Sequence, residues 1–302
     1  MNIIKHRKIW YLISTILILP GVIALFLWGL KPGIDFKGGS LLETQFTNKD
    51  INSNQIKDSL KDLNFKDLIV QPTNQNGFII KTQTISQEEH AKVGETLNKL
   101  GENKEVRFES IGPTISKDLK NRAVIAVILA SLAIILFIAY AFRSVPRPAS
   151  SWRFGVAAVI ALLHDLAFVT GLFAILGHFF GYEIDSLFIT ALLTIMGFSV
   201  HDTIVVFDRI RENLRKHPSY EFEVNVNNSI IQTVNRSLNT SLTVLIVLAA
   251  LYFLGGQTLH HFILALLVGV AIGTYSSIFN AAQILVSWQG WTLSRAKQKV
   301  AS

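Results

Sequence analysis

The feature that most limits what this chain can fold into is a set of unbroken apolar runs, each close to the length of a bilayer crossing. A helix needs about 20 apolar residues to span the hydrocarbon core, and the first run, Ile9 to Leu30, has 22. The others are roughly Arg122–Phe142, Phe154–Leu176, Leu187–Phe207, Ser237–Leu254 and Phe262–Ser287. They are joined by short links except for the basic stretch Asp208 to Arg236, whose Asp208, Arg209, Arg211 and Glu212 read as a solvated cluster past the helix end. Half of the 302 residues are hydrophobic and 16% are charged, against about 25% charged in a soluble domain. The expectation is an α-helical integral membrane protein with six transmembrane helices.

A basic start, Lys5, Arg7 and Lys8, also opens signal peptides. Their apolar region is only about 7–15 residues and ends in a small-residue cleavage site. This run ends Leu27-Trp28-Gly29-Leu30-Lys31-Pro32 and reads as a retained helix. The chain has no cysteine, which excludes disulfides and thiolate metal sites.

The net charge of +7 is explained by where it sits. Lys5, Arg7, Lys8, Arg143, Arg147, Arg153, Arg209, Arg211, Arg215, Lys216, Arg236, Arg295, Lys297 and Lys299 occupy alternate ends of the runs, fourteen of the 28 Lys and Arg. The short links Gly177–Ser186 and Gly255–His261 carry none. By the positive-inside rule both termini face the cytoplasm and the long loop faces outward. The basic balance therefore reports orientation, and no nucleic-acid partner is expected. The expected divisions are 1–30 (N-terminus and first helix), 31–120 (outer domain), 121–287 (helices two to six) and 288–302 (cytoplasmic tail).

The outer loop has patterning of its own. Leu41, Glu43 and Gln45 alternate with Leu42, Thr44 and Phe46, as in a strand. Asn52–Leu63 reads as a helix capped by Ser53 or Asn52, with Ile56, Leu60 and Leu63 on one face. Leu68–Val70 and Phe78–Lys81 flank the turn-like Asn74-Gln75-Asn76-Gly77. Ser86–Leu100 opens with a capping-box spacing and Glu105–Ser110 closes the set. The order β-α-β-β-α-β predicts a small α+β ferredoxin-like domain between the first two helices. Its one histidine, His90, and its carboxylates form no catalytic constellation.

A charged side chain inside a bilayer costs about 2.5–3.5 kcal/mol on insertion scales, so each one invites a functional hypothesis. His164-Asp165 lies eleven residues into the third run, and His201-Asp202 lies near the cytoplasmic end of the fourth. Arg236 opens the fifth, followed by Ser237, Asn239, Thr240, Ser241 and Thr243. Asp202 and Arg236 enter from the same side and could meet if their helices are neighbours. Protonating the carboxylate would then release the arginine, a two-state element able to turn proton entry into movement. Asp202 could equally be a structural hydrogen-bond partner, and Arg236 alone a snorkelling side chain. Asp165, His164 and His201 are relay members or helix contacts. On the sixth run Ala265, Gly269, Gly273, Ser277 and Ala281 form a small-residue stripe that lets another helix approach, internally or at a subunit seam. There is no Walker-type loop, no His-Glu-x-x-His and no nucleophile elbow. No enzyme activity and no cofactor are expected, and any work done draws on something other than ATP.

These residues also carry a resemblance. Gly33-Ile34-Asp35-Phe36-Lys37-Gly38-Gly39 resembles the entry motif of the SecD/SecF family. Gly197 to Asn213, containing His201-Asp202-Thr203 and Asp208-Arg209, is similar to the family's fourth-helix signature. Asn235-Arg236-Ser237-Leu238-Asn239-Thr240-Ser241, Gly255-Gly256 and Gly273 to Phe279 match its later motifs in order. The resemblance implies an RND-superfamily membrane half in the bacterial inner membrane. Its implied partners are an obligate SecD subunit, the SecYEG channel with YajC beside it, the translocating preprotein and lipid. It also implies use of the proton-motive force for late translocation and release, with the relay aspartate on Asp202 and its arginine on Arg236. The family commonly has asparagine where His201 stands. Rival readings are a small-molecule exporter of the same superfamily, a purely structural assembly subunit, and an intramembrane enzyme. The first would need larger outer domains and the last lacks paired catalytic aspartates.

Overall fold

The computed structural model describes residues 2–48, 50–73, 76–143, 146 and 150–301, with the backbone alone at 293–301 and no side-chain burial at 257. It divides into two compact units: Pro32–Ile125 with Ile184–Ser186, and Met1–Lys31 with Ala126–Glu183 and Leu187–Ser302.

The first unit is built as its alternation predicts. Helix α1 (Arg7–Leu27) precedes it; within it come α2 (Ile34–Lys37), β1 (Gly39–Phe46), α3 (Ser53–Ser59), β2 (Ile69–Pro72), β3 (Gly77–Thr82), α4 (Gln87–Leu100) and β4 (Asn103–Ile111). The sheet is antiparallel in the order β2-β3-β1-β4. Leu42 and Thr44 of β1 stand opposite Ile80 and Phe78 of β3. This face closes on Ile56 and Leu60 near α3 and on Val93 and Leu97 of α4, forming a buried apolar core. Both helices start in capping boxes, Asn52 with Gln55 and Ser86 with Glu89. The helix expected to Leu63 stops at Ser59 and continues as a 3₁₀ turn, Lys61–Leu63, ending at Asn64 with φ +51°. The residues Asn74 and Gln75 of the expected turn lie outside the described residues.

The Gly33–Gly39 segment has a clear structural task in this unit. Gly33 N donates to Ile184 O at 2.8 Å, and Ser186 N donates to Asp35 Oδ2 at 2.8 Å. Gly33 and Asp35 thus tie this segment to Ile184–Ser186 of the same unit. Gly38 and Gly39 then turn the chain into β1 with φ +80° and +135°. A Cβ on Gly39 would sit 2.7 Å from Thr82 O, across the β1–β3 pair. Gly39→Ala is therefore expected to cost about 1–3 kcal/mol. The check is hydrogen exchange in the full chain, where β1 and β3 amides should exchange faster while amides of the helical unit do not.

The second unit contains α1 and the helical segments α5 (Pro113–Ala141, from Ala126), α6 (Ser151–Phe180), α7 (Ser186–Lys216, from Leu187), α8 (Phe222–Leu254), α9 (His260–Ser276) and α10 (Ala282–Ala301). A π-helical turn, Ser277–Ala281, joins α9 to α10. Among the described residues six helices are long and apolar enough to cross a membrane. Side-chain contacts place alternate helix ends together. Arg7 pairs with Glu223 at 2.9 Å, Arg211 Nη1 donates to Ala141 O at 3.1 Å, and Arg153 bonds Gln289. Of the basic residues predicted to cluster at one face of the membrane, Arg7, Arg153 and Arg211 make these contacts between helix ends; Arg147 and the side chains of Arg295, Lys297 and Lys299 lie outside what is described.

One expectation needs correcting. Asp208 to Arg236 is not a link beyond the helix ends. Helix α7 runs on to Lys216 and α8 already begins at Phe222, so Asp208, Arg209, Arg211 and Glu212 are helical. The apolar run stops there but amphipathic periodicity does not: Ile210, Leu214, Phe222, Val226 and Ile230 are buried. Arg209–Glu212 at 2.5 Å and Lys216–Glu212 at 2.6 Å cover the outer face. Asn213 Nδ2 donates to Ser229 Oγ at 2.8 Å and ties the two helices together.

Two close approaches set the helix spacing. The stripe Ala265, Gly269, Gly273, Ser277, Ala281 is buried and packs internally on α7. A Cβ on Gly269 would overlap Ile195 at 2.2 Å, and one on Gly273 would meet Ser199 at 3.1 Å. The other is glycine on glycine: a Cβ on Gly171 of α6 would lie 2.6 Å from Gly21 Cα of α1.

Candidate functional site

Helices α6, α7, α8 and α9 bring two buried carboxylates into one polar interior. Asp202 is 2% exposed and Asp165 is fully buried. Hydroxyl-bearing residues on α7, α8 and α9 surround them.

Asp202 sits opposite α8. Ser241 Oγ approaches Asp202 Oδ2 at 3.3 Å and its own Ser237 O at 2.8 Å. Thr274 Oγ1 of α9 lies 2.6 Å from Ser241 Oγ and 2.9 Å from Val270 O. Ser241 has one proton and two acceptors. When that proton serves Ser237 O, a protonated Asp202 can donate to Ser241 Oγ; when it serves Asp202, the ionised carboxylate has a donor on Oδ2. The cluster accommodates both protonation states with the same atoms. Beside it, Thr203 Oγ1 and Ser277 Oγ are 2.8 Å apart, and Ser277 Oγ donates to Ser199 O at 3.1 Å.

Arg236 is on α8, five residues before Ser241 in sequence, about 7.5 Å along the helix. It is exposed, and among the described residues no carboxylate lies within 4 Å of its guanidinium. The structure thus places Asp202 and Arg236 on neighbouring helices but not in contact. His201 is also exposed.

Asp165 is held more firmly. Its Oδ1 is 2.9 Å from His164 Nδ1, while Oδ2 accepts from Ser199 Oγ at 2.5 Å and Ser276 Oγ at 2.7 Å. His164 Nε2 is 3.0 Å from Asn280 Nδ2, and Ser14 Oγ donates to Asn280 Oδ1 at 2.9 Å. Reading the sequence singled out the acids and the histidine but missed Ser14, Ser199, Ser276 and Asn280. Their signal was present: an asparagine and paired serines in an otherwise apolar run are costly unless they meet partners.

Six spans, a small α+β unit and carboxylates buried inside the helices define a multi-pass membrane protein with ionisable groups in its interior. The family descriptions "Protein export membrane protein SecD/SecF, C-terminal" and "SecD/SecF GG Motif" match residues 92–291 and 23–50. The chain belongs to the SecD/SecF family. It is 46% identical to the protein translocase subunit SecF of Thermobaculum terrenum, over 96% of this chain and 94% of that one. It is 36% identical to the protein translocase subunit SecDF of Brucella abortus, over 88% of this chain but 34% of that one. Among solved structures, SecDF of Thermus thermophilus, described as a translocon-associated membrane protein, superposes with TM-score 0.84 at 32% identity. That match covers 96% of this chain and 39% of the SecDF chain. The segment first singled out as Gly33, Asp35, Phe36, Gly38 and Gly39 falls within the GG-motif match, and Asp165, Asp202 and Arg236 fall within the other.

Proposed function

We propose that this chain pairs with a SecD-type half in the bacterial inner membrane. Together they use the proton-motive force to assist late translocation and release of preproteins passing through a SecYEG channel. The observation that carries this reading is the Asp202 cluster, a buried carboxylate in a hydroxyl cage that accepts either protonation state. Arg236 stands nearby on α8, with no carboxylate within 4 Å of its guanidinium among the described residues. Proton gain and loss at Asp202 then changes whether a negative charge is present for Arg236, and the gradient is the only energy source required.

The partner follows from cost. Arg236, Asn239 and Thr240 of α8 and His201 of α7 are exposed within or beside spans. Facing lipid, an arginine costs about 2.5–3.5 kcal/mol; facing a second six-helix half, these groups gain polar neighbours. The SecDF relatives, in which this chain corresponds to about a third of the length, support that arrangement. The contacts of Arg7, Arg153 and Arg211 between helix ends support cytoplasmic termini. YajC and the exported chain are further proposed contacts, the latter with the α+β unit.

The test is preprotein export into sealed vesicles holding the SecD partner, with and without an imposed proton gradient. Asp202→Asn, which keeps shape but not charge, is expected to assemble normally and lose the gradient-dependent component at least about tenfold. Gradient-dependent export at the wild-type level would make the subunit a structural scaffold.

A further inference from the structure

Asp165 is fully buried in the helical unit although Asp202 alone suffices for a single relay. With the Asn280 amide oriented as it stands, the partners of Asp165 assign one arrangement of its protons. Ser14 donates to Asn280 Oδ1 at 2.9 Å, so the amide nitrogen is the end that meets His164 Nε2 at 3.0 Å. An amide nitrogen only donates, so Nε2 accepts and carries no proton. The imidazole proton is then on Nδ1, 2.9 Å from Asp165 Oδ1. With Ser199 and Ser276 donating to Oδ2, every polar atom is satisfied when Asp165 is ionised and His164 neutral. That arrangement leaves one negative charge inside the spans, where a charge without a cationic partner is costly.

A largely apolar groove of about 460 Å³ borders the histidine, with Tyr11, Ser14, Thr15 and Asn280 as its other polar lining and Ile18, Ile160 and Ile284 among the rest. The titratable groups facing the pair are few: Tyr11 from α1, Tyr275 from α9 with its ring 6.4 Å from the imidazole, and Asp202 on α7, three residues beyond Ser199. Among the described residues no Lys or Arg lies within 4 Å of Asp165.

We propose that the His164–Asp165 pair is a second proton-binding site, loaded from this groove at His164 Nε2 and read out by reversal of the Asn280 amide. The Nε2 lone pair takes a proton from a hydronium ion, one N–H bond forms, and water is released. His164 becomes imidazolium and the pair becomes neutral. Nε2–H now needs an acceptor, so Asn280 turns Oδ1 toward it and Nδ2 toward Ser14. Ser14 Oγ then accepts, and its hydroxyl hydrogen, still on Oγ, turns to donate to Tyr275 Oη 3.2 Å away, whose own O–H donates to Trp10 O. Asn280 lies in the π-helical turn, a rare element that recurs at functional sites. The change reaches the other carboxylate through one turn of α9: Ser276 holds Asp165, Ser277 meets Thr203, and Thr274 meets Ser241 beside Asp202. As a part of the export cycle the site rests on the proton-driven reading above; as a proton-binding site it does not.

The test is nitrogen NMR of the full chain in lipid nanodiscs, with ¹⁵N-labelled histidine. The His164 signal is the one lost in His164→Gln or moved in Asn280→Ala. At alkaline pH it should be the Nδ1-protonated neutral tautomer, and it should convert to imidazolium on acidification. Asp165→Asn, which removes the anion, should weaken proton binding about tenfold. Asn280→Ala leaves the three donors of Asp165 in place and removes the donor on Nε2, so it should tighten proton binding about threefold. It decides the matter if Asp165→Asn does not fold. An Nε2-protonated tautomer at alkaline pH, a ring that never charges while the chain is folded, or wild-type affinity in whichever variants fold would overturn the proposal. A failure of Asp202→Asn to affect export leaves this titration untouched, so the two readings fail separately.

Discussion

Gly171→Val is expected to leave almost none of the chain correctly folded in the membrane. At this position α6 meets α1 backbone to backbone. A first carbon on Gly171 would already lie 2.6 Å from Gly21 Cα, 2.7 Å from Gly21 C and 3.0 Å from Gly21 O. The reverse substitution meets the same wall, with a Cβ on Gly21 2.9 Å from Gly171 Cα. No side chain stands between the helices to rotate away, so one helix must move. Overpacking that side chains can absorb costs about 1–3 kcal/mol; moving α1 off α6 is expected to cost about 4–5 kcal/mol, comparable with the whole stability of many domains. Between helices in lipid, close packing itself is the main attraction, so distance lost is affinity lost. The measurement is the fraction of inserted chain that is monodisperse and protease-resistant after solubilisation, compared with wild type.

Gly269 makes the informative contrast. Its obstacle is Ile195, whose Cδ1 and Cγ1 would lie 2.2 and 2.4 Å from an added Cβ. That side chain can be trimmed. Gly269→Ala should lower the thermal midpoint, and adding Ile195→Val should recover part of the loss, a favourable coupling of about 1 kcal/mol. Gly171→Val offers no equivalent rescue, since its neighbour is already glycine. Equal rescue at both sites would contradict the backbone contact.

The unequal legibility of these features has physical causes. Span number, the β-α-β-β-α-β order and both capping boxes are local signals, encoded in run length, alternation and short-range hydrogen bonds. Asp165, Asp202 and Arg236 announced themselves because charge in an apolar run is expensive. The Gly21–Gly171 contact did not, because a lone glycine in an apolar helix looks alike whether it faces lipid or another backbone. The α7–α8 hairpin was read as a link because its outer face is charged, and hydropathy averages over faces that a helix keeps apart. The Ser14–Asn280–His164–Asp165 chain joins residues up to 266 apart in sequence, so only the tertiary fold could assemble it. The Asp202–Arg236 pairing failed as a direct contact for a subtler reason. Proximity to the same membrane face sets depth to within a turn or two, whereas an ion pair needs agreement within a few ångströms.

That offset bears on what Arg236 does. Arg236→Leu is expected to leave the chain folded and inserted, because among the described residues the guanidinium contacts no carboxylate, yet to lower gradient-driven export at least about tenfold. Antiparallel pairing of α7 and α8 is fixed by Asn213 against Ser229 at one level and by Asp202 against Ser241 at the next. In this register Arg236 lies about 7.5 Å from the level of Ser241, and a one-turn slide of 5.4 Å would close most of the gap. An ionised Asp202 rewards that slide with a charge pair in a low-dielectric interior; a protonated one leaves Asp202 on Ser241. Arg236 would then be the group that converts the protonation state of Asp202 into helix position, which a neutral isostere of similar bulk cannot do. Arg236→Lys, retaining the charge without the planar fork, should keep part of the activity. The comparison that decides is export into vesicles with and without the gradient, alongside disulfide trapping between cysteines introduced on α7 and α8 at acid and alkaline pH. If leucine abolishes both the gradient-dependent component and the pH-dependent change in trapping, the pair forms in a second state of the helices. If leucine leaves both as in wild type, Arg236 serves only to hold the neighbouring half, and the force-producing step lies elsewhere in the assembly.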